Sequence, residues 1–383
     1  MSRKTPLLFV VLIAAASLLL AACSGAASQQ DEEIRVGVIM PLTGLAATVG
    51  PEVQMGVEFA FEQVDNQIAG RDVVLIFEDE TDDPTNAVAR ARKLVEEDGV
   101  DVILGPQLAH TAAAVSAYAA EAGVPHIGFG ASDTPTSDHT FYPGSGRGDA
   151  YATGLFAYED LEARTAAVLY QDYLFGQQSR DGFVAAFTDQ GGEIISEQAV
   201  PFGTPDMAPF LEGIGDADVI AVLLLNPSDF AFVRQYREFG LDQPVLFISN
   251  APQEAPLLAE MGDAVVGMYG SSWYSPLIES EANGEFVGAF SERYGRPPGM
   301  AVHVAYSAAS FFIEAAQAAN GDTSPEALTA ALVGLDEVTT PAGTVSIGDD
   351  RVATHDHYIF QVGKQGEFYV WEVAKKYEAV EPR

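Results

Sequence analysis

The chain has 383 residues, 48% of them hydrophobic and 19% charged, with one cysteine and a formal net charge of −36. A chain this acidic repels nucleic acid and anionic membrane surfaces, and its aromatic content and low charge density exclude an intrinsically disordered protein. A single cysteine excludes an intrachain disulfide, so stability rests on an ordinary apolar core, which a chain of this length can build.

Arg3 and Lys4 precede an almost unbroken apolar run over residues 7–22. A basic start, a short apolar stretch and small residues at its end describe an export signal over 1–22. The run is too short and too oddly flanked for a permanent membrane span. Its end, Leu20-Ala21-Ala22-Cys23, resembles the lipobox of bacterial lipoproteins. That resemblance implies a diacylglyceryl thioether on Cys23, chemistry suited to a thiolate nucleophile, and makes Cys23 the first mature residue. The alternative is an ordinary signal or anchor with an incidental cysteine. Removal of the signal takes the formal charge to −38. Residues 23–33, small, polar and acidic, read as a lipidated flexible tether.

From there strands and helices alternate. The apolar run 34–40 predicts a buried strand, and 51–67 a helix with Val53, Val57, Ala60, Phe61 and Val64 on one face. A strand follows over 72–79. Asp83 as N-cap, Pro84 at the first helical position and Gly99 at the close predict the next helix. Strand 100–105, helix 111–123 and strand 124–130 complete the first series. The second series has helix 149–161, strand 165–172, helix 177–190, strand 192–200, a short helix at 208–214, strand 218–226, helix 227–240 and strands 244–250 and 265–274. Near-continuous apolar strands joined by helices imply parallel sheets covered on both faces, and their number implies two sheets. The tail differs: helices near 283–294, 300–319 and 324–335, then a hairpin over 357–374 turning at Gly363-Lys364-Gln365-Gly366.

The order of these pieces resembles the type I periplasmic binding proteins of the branched-chain amino acid (leucine/isoleucine/valine) family, the solute receptors of ABC importers. The resemblance runs from Ile34 to the C-terminus and is carried by VGVIMPLTGLAATVG, EDETDDPTNAVARARKLVEEDGVDVILGP, AEAGVPHIGFGAS, DYLFGQQSRDGF, VRQYREFGL and the final hairpin. It implies an α/β fold of two doubly wound parallel-sheet lobes joined by three crossovers, one lobe at 34–147 plus 276–337 and the other at 148–274 plus 341–377. The turn-rich stretches 143–149 and 274–276 fall where crossings are needed. Ligand then lies between the lobes, at strand C-termini and helix N-termini, where free N–H groups and the helix dipole favour carboxylates.

The resemblance also nominates site residues. Amino-acid binders of the family place serines at about Leu108 and Ala109; here the hydroxyls are missing, backbone amides remain, and His110 or Thr111 can compensate. His110 reads equally well as a surface residue at a helix start. Ser132 matches the family's hydroxyl residue and the Ala131 carbonyl a frequent ammonium acceptor. In the second lobe Phe175 matches an aromatic wall, Asn226 falls where an aromatic residue often lies, and Asn250 falls near the ammonium-binding carboxylate. A neutral Asn250 leaves a buried ammonium without a counter-charge, which argues against an α-amino acid and leaves amides and small carboxylates open. Trp273 and Tyr274 at the second crossing, and Tyr151 and Asp149 at the first, either touch ligand or pack the hinge.

His355-Asp356-His357 puts two imidazoles on one strand face, too few ligands for a metal site. The acidic stretch 79–87 lacks calcium-loop spacing and a closing glutamate, and no phosphate loop or hydrolase elbow is present. The expectation is therefore a monomeric receptor without enzymatic activity, cofactor, metal or nucleic acid, held outside the cytoplasm on the bacterial cell membrane by Cys23, binding a small polar metabolite (amino acid, amide or small carboxylate) by lobe closure and partnering ABC permease subunits. The alternatives are a sensory receptor for a membrane signalling partner, or an enzyme on the same fold.

Overall fold

The strand Glu33–Met40 (β1) becomes fully apolar after its first three residues, as a strand with neighbours on both sides and helices on both faces requires. The computed structural model describes residues 33–378 apart from 45, 130–136, 143–145, 250–254, 336 and 348–350. The expected export signal, Cys23 and most of the tether, with Ala131, Ser132 and Asn250, lie outside the described residues.

The first sheet takes β1, Gln67–Ile68 (β2), Arg71–Asp79 (β3), Val102–Leu104 (β4), His126–Ile127 (β5) and Thr140–Phe141 (β6) in the order β2-β3-β1-β4-β5-β6. All neighbours are parallel except β2 and β3, and Val36 stands between Leu75 and Val102. Between these strands run Gly50–Glu62 (α1), Pro84–Glu96 (α2) and Ala109–Ala122 (α3). Asp83 caps α2 by accepting from the Thr85 N–H, with Pro84 in its first turn as the sequence predicts.

The second sheet takes Thr165–Gln171 (β7), Glu193–Val200 (β8), Val219–Leu223 (β9), Val245–Phe247 (β10) and Tyr269–Ser272 (β11), closed by the hairpin His357–Gln365 (β15) and Phe368–Tyr377 (β16). Its order is β16-β15-β11-β10-β9-β7-β8, parallel from β7 to β11 and antiparallel in the hairpin. Its helices are Gly146–Glu159 (α4), Leu174–Asp189 (α5), Ala208–Glu212 (α6), Ser228–Glu238 (α7) and Ala255–Met261 (α8). The tail helices are Glu281–Tyr294 (α9), Met300–Ala318 (α10) and Pro325–Val333 (α11). A small antiparallel sheet of Val338–Thr340 (β12), Gly343–Ile347 (β13) and Ala353–Thr354 (β14) precedes the hairpin.

One connected core includes Val36, Val38, Val53, Val57 and Phe312 beneath the first sheet and Leu169, Val222 and Phe247 in the second. Helix α1 lies against α10, and Gly56 permits the approach: a Cβ there would enter the Val302 carbonyl. The architecture is α/β with two doubly wound parallel sheets, as the pattern predicts.

Several boundaries differ from expectation. Helix α1 stops at Glu62, so Val64 lies beyond it; Asp65 and Asn66 take left-handed backbone angles that end a helix. The hairpin turns two residues later than expected: Gly363 and Lys364 pair within the ladder, and Gly366-Glu367 forms the two-residue turn, with Gly366 at φ +64°. Strand β11 begins at Tyr269 because residues 262–265 coil into a 3-10 turn. Helix α8 and strands β2, β6 and β12–β14 were not foreseen; elements of two to seven residues carry little periodic signal.

Candidate ligand-binding site

Each sheet has a point where the chain reverses its direction of growth. In the first, β3 is added on one side of β1 and β4 on the other; in the second, β8 and β9 flank β7 in the same way. Loops leaving the C-terminal ends of strands at such points diverge and open a crevice. The crevice loops are therefore 41–49 and 105–109 on the first sheet, and 172–174 and 224–228 on the second. Helices α3 and α5, which start at these edges, lie against each other across the two sheets.

The first of these loops is held from below. Asp79, ending β3, accepts from the Leu42 and Thr43 N–H groups at 2.9 and 3.2 Å and from Thr43 Oγ1 at 2.6 Å. Burial works to raise this carboxyl, but hydrogen bonds from Thr43, Thr81 and Leu42 outweigh it and leave it below its ordinary value. Gly105, at φ +83°, turns the chain out of β4; a Cβ there would collide with the Ile39 carbonyl and the Phe129 ring.

Beneath residues 105–111 sits a group that the sequence reading passed over. Glu80 is fully buried. It accepts from the Gln107 N–H at 3.3 Å and the Leu108 N–H at 3.2 Å, and its Oε2 lies 2.6 Å from Thr111 Oγ1. Burial pushes this carboxyl up to about 7, against the hydrogen bonds from Thr111, Leu108 and Gln107 and aided by the nearby charge of Asp82.

This changes the expected roles. The Leu108 amide, expected to face ligand, is committed to Glu80, and buried Thr111 is committed to the same carboxyl. The amides of Ala109 and His110 open α3 and have no carbonyl four residues back within the helix. The His110 ring is half-buried, with Nε2 3.2 Å from the Asp82 carbonyl oxygen and Nδ1 buried without a partner among the described residues.

On the second sheet, Gln171 ties the crevice edge together. Its Nε2 donates to the Val200 carbonyl at 2.7 Å and its Oε1 accepts from the Leu225 N–H at 3.1 Å. Tyr173 stands at the N-cap of α5, its ring 6.1 Å from Phe175 and 5.2 Å from Phe202. Phe175 is half-buried, so an aromatic surface does stand at this edge. Asn226 is exposed in the turn before α7. Beside it Pro227, Pro205, Phe230 and Glu260 line a separate recess of about 440 Å³. Tyr151 is half-buried on α4 against the second sheet's core.

The remaining candidates gather where the chain passes between sheets. Trp273 is 6% exposed and meets His355 edge-on, with ring centroids 5.1 Å apart. Tyr274 stacks on His303 of α10 at 4.1 Å. His355 and His357 rings are 4.5 Å apart, and His357 Nδ1 lies 2.7 Å from Asp149 Oδ1 at the start of α4. Burial pushes Asp149 up to about 7 and His355 down to about 4; burial also lowers His303, to about 3. These groups pin segments far apart in sequence, and among the described residues no group of three or more His, Cys, Asp or Glu is placed to hold a metal ion. No described helix is long and apolar enough to cross a membrane.

The chain is similar to the Leu/Ile/Val-binding protein homolog 6 of Brucella abortus (strain 2308), with 26% identity over 355 residues, 89% of this chain and 90% of that one. Its structure is similar to that of a solute binding protein of an ABC transporter from Rhodopseudomonas palustris BisB5 in complex with 3,4-dihydroxy benzoic acid. That match has a TM-score of 0.83 and 28% identity, covering 92% of this chain and 99% of that one. An ABC transporter substrate-binding protein from Sphaerobacter thermophilus matches with a TM-score of 0.85, 28% identity and the same coverage. The sequence model for the periplasmic binding proteins matches residues 33–367. With that match over most of the chain, and two doubly wound parallel sheets, the chain belongs to the periplasmic binding protein family, in the branch of solute-binding proteins that serve ABC transporters.

Proposed function

We propose that this chain is a lipid-anchored extracytoplasmic receptor that captures a small organic acid of the hydroxybenzoate class and hands it to an ABC permease. Residues 34–147 plus 276–337 form one lobe and 148–274 plus 341–377 the other, with Cys23 as the lipid attachment and one chain as the working unit. Binding is the whole activity: contacts from both lobes stabilise a closed form, and the permease reads that form.

The observation that carries the reading is the meeting of α3 with α5 at the two crevice edges. The first amides of α3 offer donors and a positive helix end to a carboxylate. Tyr173 and Phe175 offer an aromatic face to a ring. Asn226 and Asn250 are neutral and bring no counter-charge to an α-ammonium, and the oxygens of Glu80 are committed to Gln107, Leu108 and Thr111. The Rhodopseudomonas palustris protein, solved with an aromatic acid, supports the same ligand class.

The mature chain, screened by thermal shift against 4-hydroxybenzoate, 3,4-dihydroxybenzoate, 4-hydroxybenzamide and leucine, tests this. The acids, well above their dissociation constants, are expected to raise the melting point by several degrees, and leucine and the amide are not. Stabilisation by leucine and by none of the acids contradicts the ligand class. Ser132→Ala is expected to weaken binding of the acid by about 1–3 kcal/mol, the range for a hydroxyl donor in a dry cleft; unchanged affinity removes Ser132 from the site.

A further inference from the structure

The charge state of Glu80 follows from counting hydrogens. Thr111 Oγ1 lies 2.6 Å from Glu80 Oε2 and 2.7 Å from the Leu108 carbonyl oxygen. A threonine hydroxyl carries one hydrogen and a carbonyl none. With Glu80 ionised, one of these two close oxygen pairs holds no hydrogen. With Glu80 protonated, Oε2–H donates to Thr111 Oγ1, Thr111 donates to the Leu108 carbonyl, and both pairs are filled. The amide contacts agree: at 3.3 and 3.2 Å they are longer than the roughly 2.7–2.9 Å of charge-assisted N–H···O⁻ bonds.

Among the described residues, the groups around Glu80 add no positive partner. Asp79 and Asp82 belong to the same acidic segment, and His110 of α3 leans on the Asp82 carbonyl oxygen. The neighbouring 40–44 turn contributes only the Met40 carbonyl, which accepts from the Glu80 N–H at 3.0 Å.

We propose that Glu80 acts as a neutral carboxylic acid beneath residues 105–111, and that its neutrality lets an anionic ligand settle on the first amides of α3, so that binding an organic acid is coupled to keeping one proton on Glu80. The proposal rests on the organic-acid reading above. It makes Glu80 a specificity residue: an ionised Glu80 repels an anion and is indifferent to its neutral amide analogue. An anion nearby strengthens the hold of Glu80 on its proton. Free Glu80 ionises near pH 7, so binding above that pH takes up a proton, and affinity falls by up to about tenfold per pH unit.

Two measurements on wild type and Glu80→Gln test the proposal. Glutamine keeps a donor to Thr111 through Nε2–H and an acceptor for the Gln107 N–H, and gives up only the Leu108 N–H contact, since an amide nitrogen does not accept. The first measurement is the ligand-free melting point from pH 5.5 to 8.5. A raised carboxyl stabilises fully below its unfolded value of 4.5 and loses that contribution as pH rises through about 7. Wild type is therefore expected to fall relative to Glu80→Gln as pH rises; parallel curves overturn the neutral acid. The second is calorimetric affinity for 4-hydroxybenzoate over the same range, expected to weaken steeply above pH 7 in wild type and to stay flat in Glu80→Gln. Equal slopes in both proteins overturn the coupling. If the variant does not fold, wild-type titrations at pH 8 in buffers of different ionisation enthalpy decide: uptake of about one proton supports the coupling, and none refutes it. Diverging melting curves with no acid bound at any pH refute the ligand reading and the coupling with it, while the protonated Glu80 stands.

Discussion

Replacing Asp149 by alanine should cost about 2–4 kcal/mol of unfolding free energy, the penalty for stranding a buried polar partner. Asp149 and His357 are fully buried and 208 positions apart in sequence. Their 2.7 Å contact joins the start of α4 to the first residue of β15, with His355 tilted against His357 and Trp273 edge-on behind it. Alanine leaves the His357 ring nitrogen facing a void in a low-dielectric interior, where an unmade hydrogen bond is most expensive. Asp149→Asn keeps an oxygen that can accept from Nδ1–H and should lose far less. Urea unfolding of the two variants checks this. A loss below about 1 kcal/mol for alanine would mean that the contact does not hold these segments together.

A second expected result is a shallow stability optimum on the acid side of neutrality. Burial raises Asp149 from 3.8 and Glu80 from 4.5, both to about 7, and Asp229 from 3.8 to about 6. Each contributes fully below its unfolded value and loses that contribution as pH rises through its folded value. Burial lowers His126 and His355 from 6.5 to about 4, and His303 from 6.5 to about 3. Each of these contributes fully above 6.5 and is lost as pH falls toward its folded value. Between about 4.5 and 6.5 three carboxyls and three imidazoles oppose one another and nearly cancel. Above 6.5 the carboxyls lose roughly 2 kcal/mol by pH 8, while the imidazoles, still half protonated in the unfolded chain at 6.5, regain roughly 1 kcal/mol, so a net loss below about 1 kcal/mol remains. Self-repulsion at a formal charge of −36 acts in the same direction. Melting points across pH 4–8.5 should form a plateau near 5–6 and decline by pH 8; a maximum at pH 8 would show that these buried groups do not govern the profile.

The fold was largely legible because it rests on period. Helix α2 announced itself through Asp83, Pro84 and its apolar stripe, and β1, β7 and β9 through unbroken apolar runs. The hairpin was visible as alternation, but its turn was misplaced because Gly363 and Gly366 are equally good breakers and only pairing chooses between them. The site was less legible. Local sequence cannot show that Glu80 is the fully buried member of its acidic segment, or that it reaches the Gln107 and Leu108 amides of a loop almost thirty residues on. The same limit hid the meeting of Asp149 with His357, and of Tyr274 with His303. Trp273, 6% exposed with His355 edge-on against it, is a further contact across the chain that local sequence does not show.

A crystal structure grown with 4-hydroxybenzoate tests the central claim most directly. The account predicts the carboxylate within hydrogen-bonding reach of the first amides of α3, the ring toward Tyr173 or Phe175, and both sheets contributing contacts. The acid bound instead in the recess lined by Pro205, Phe230 and Glu260, or touching one sheet alone, would contradict it.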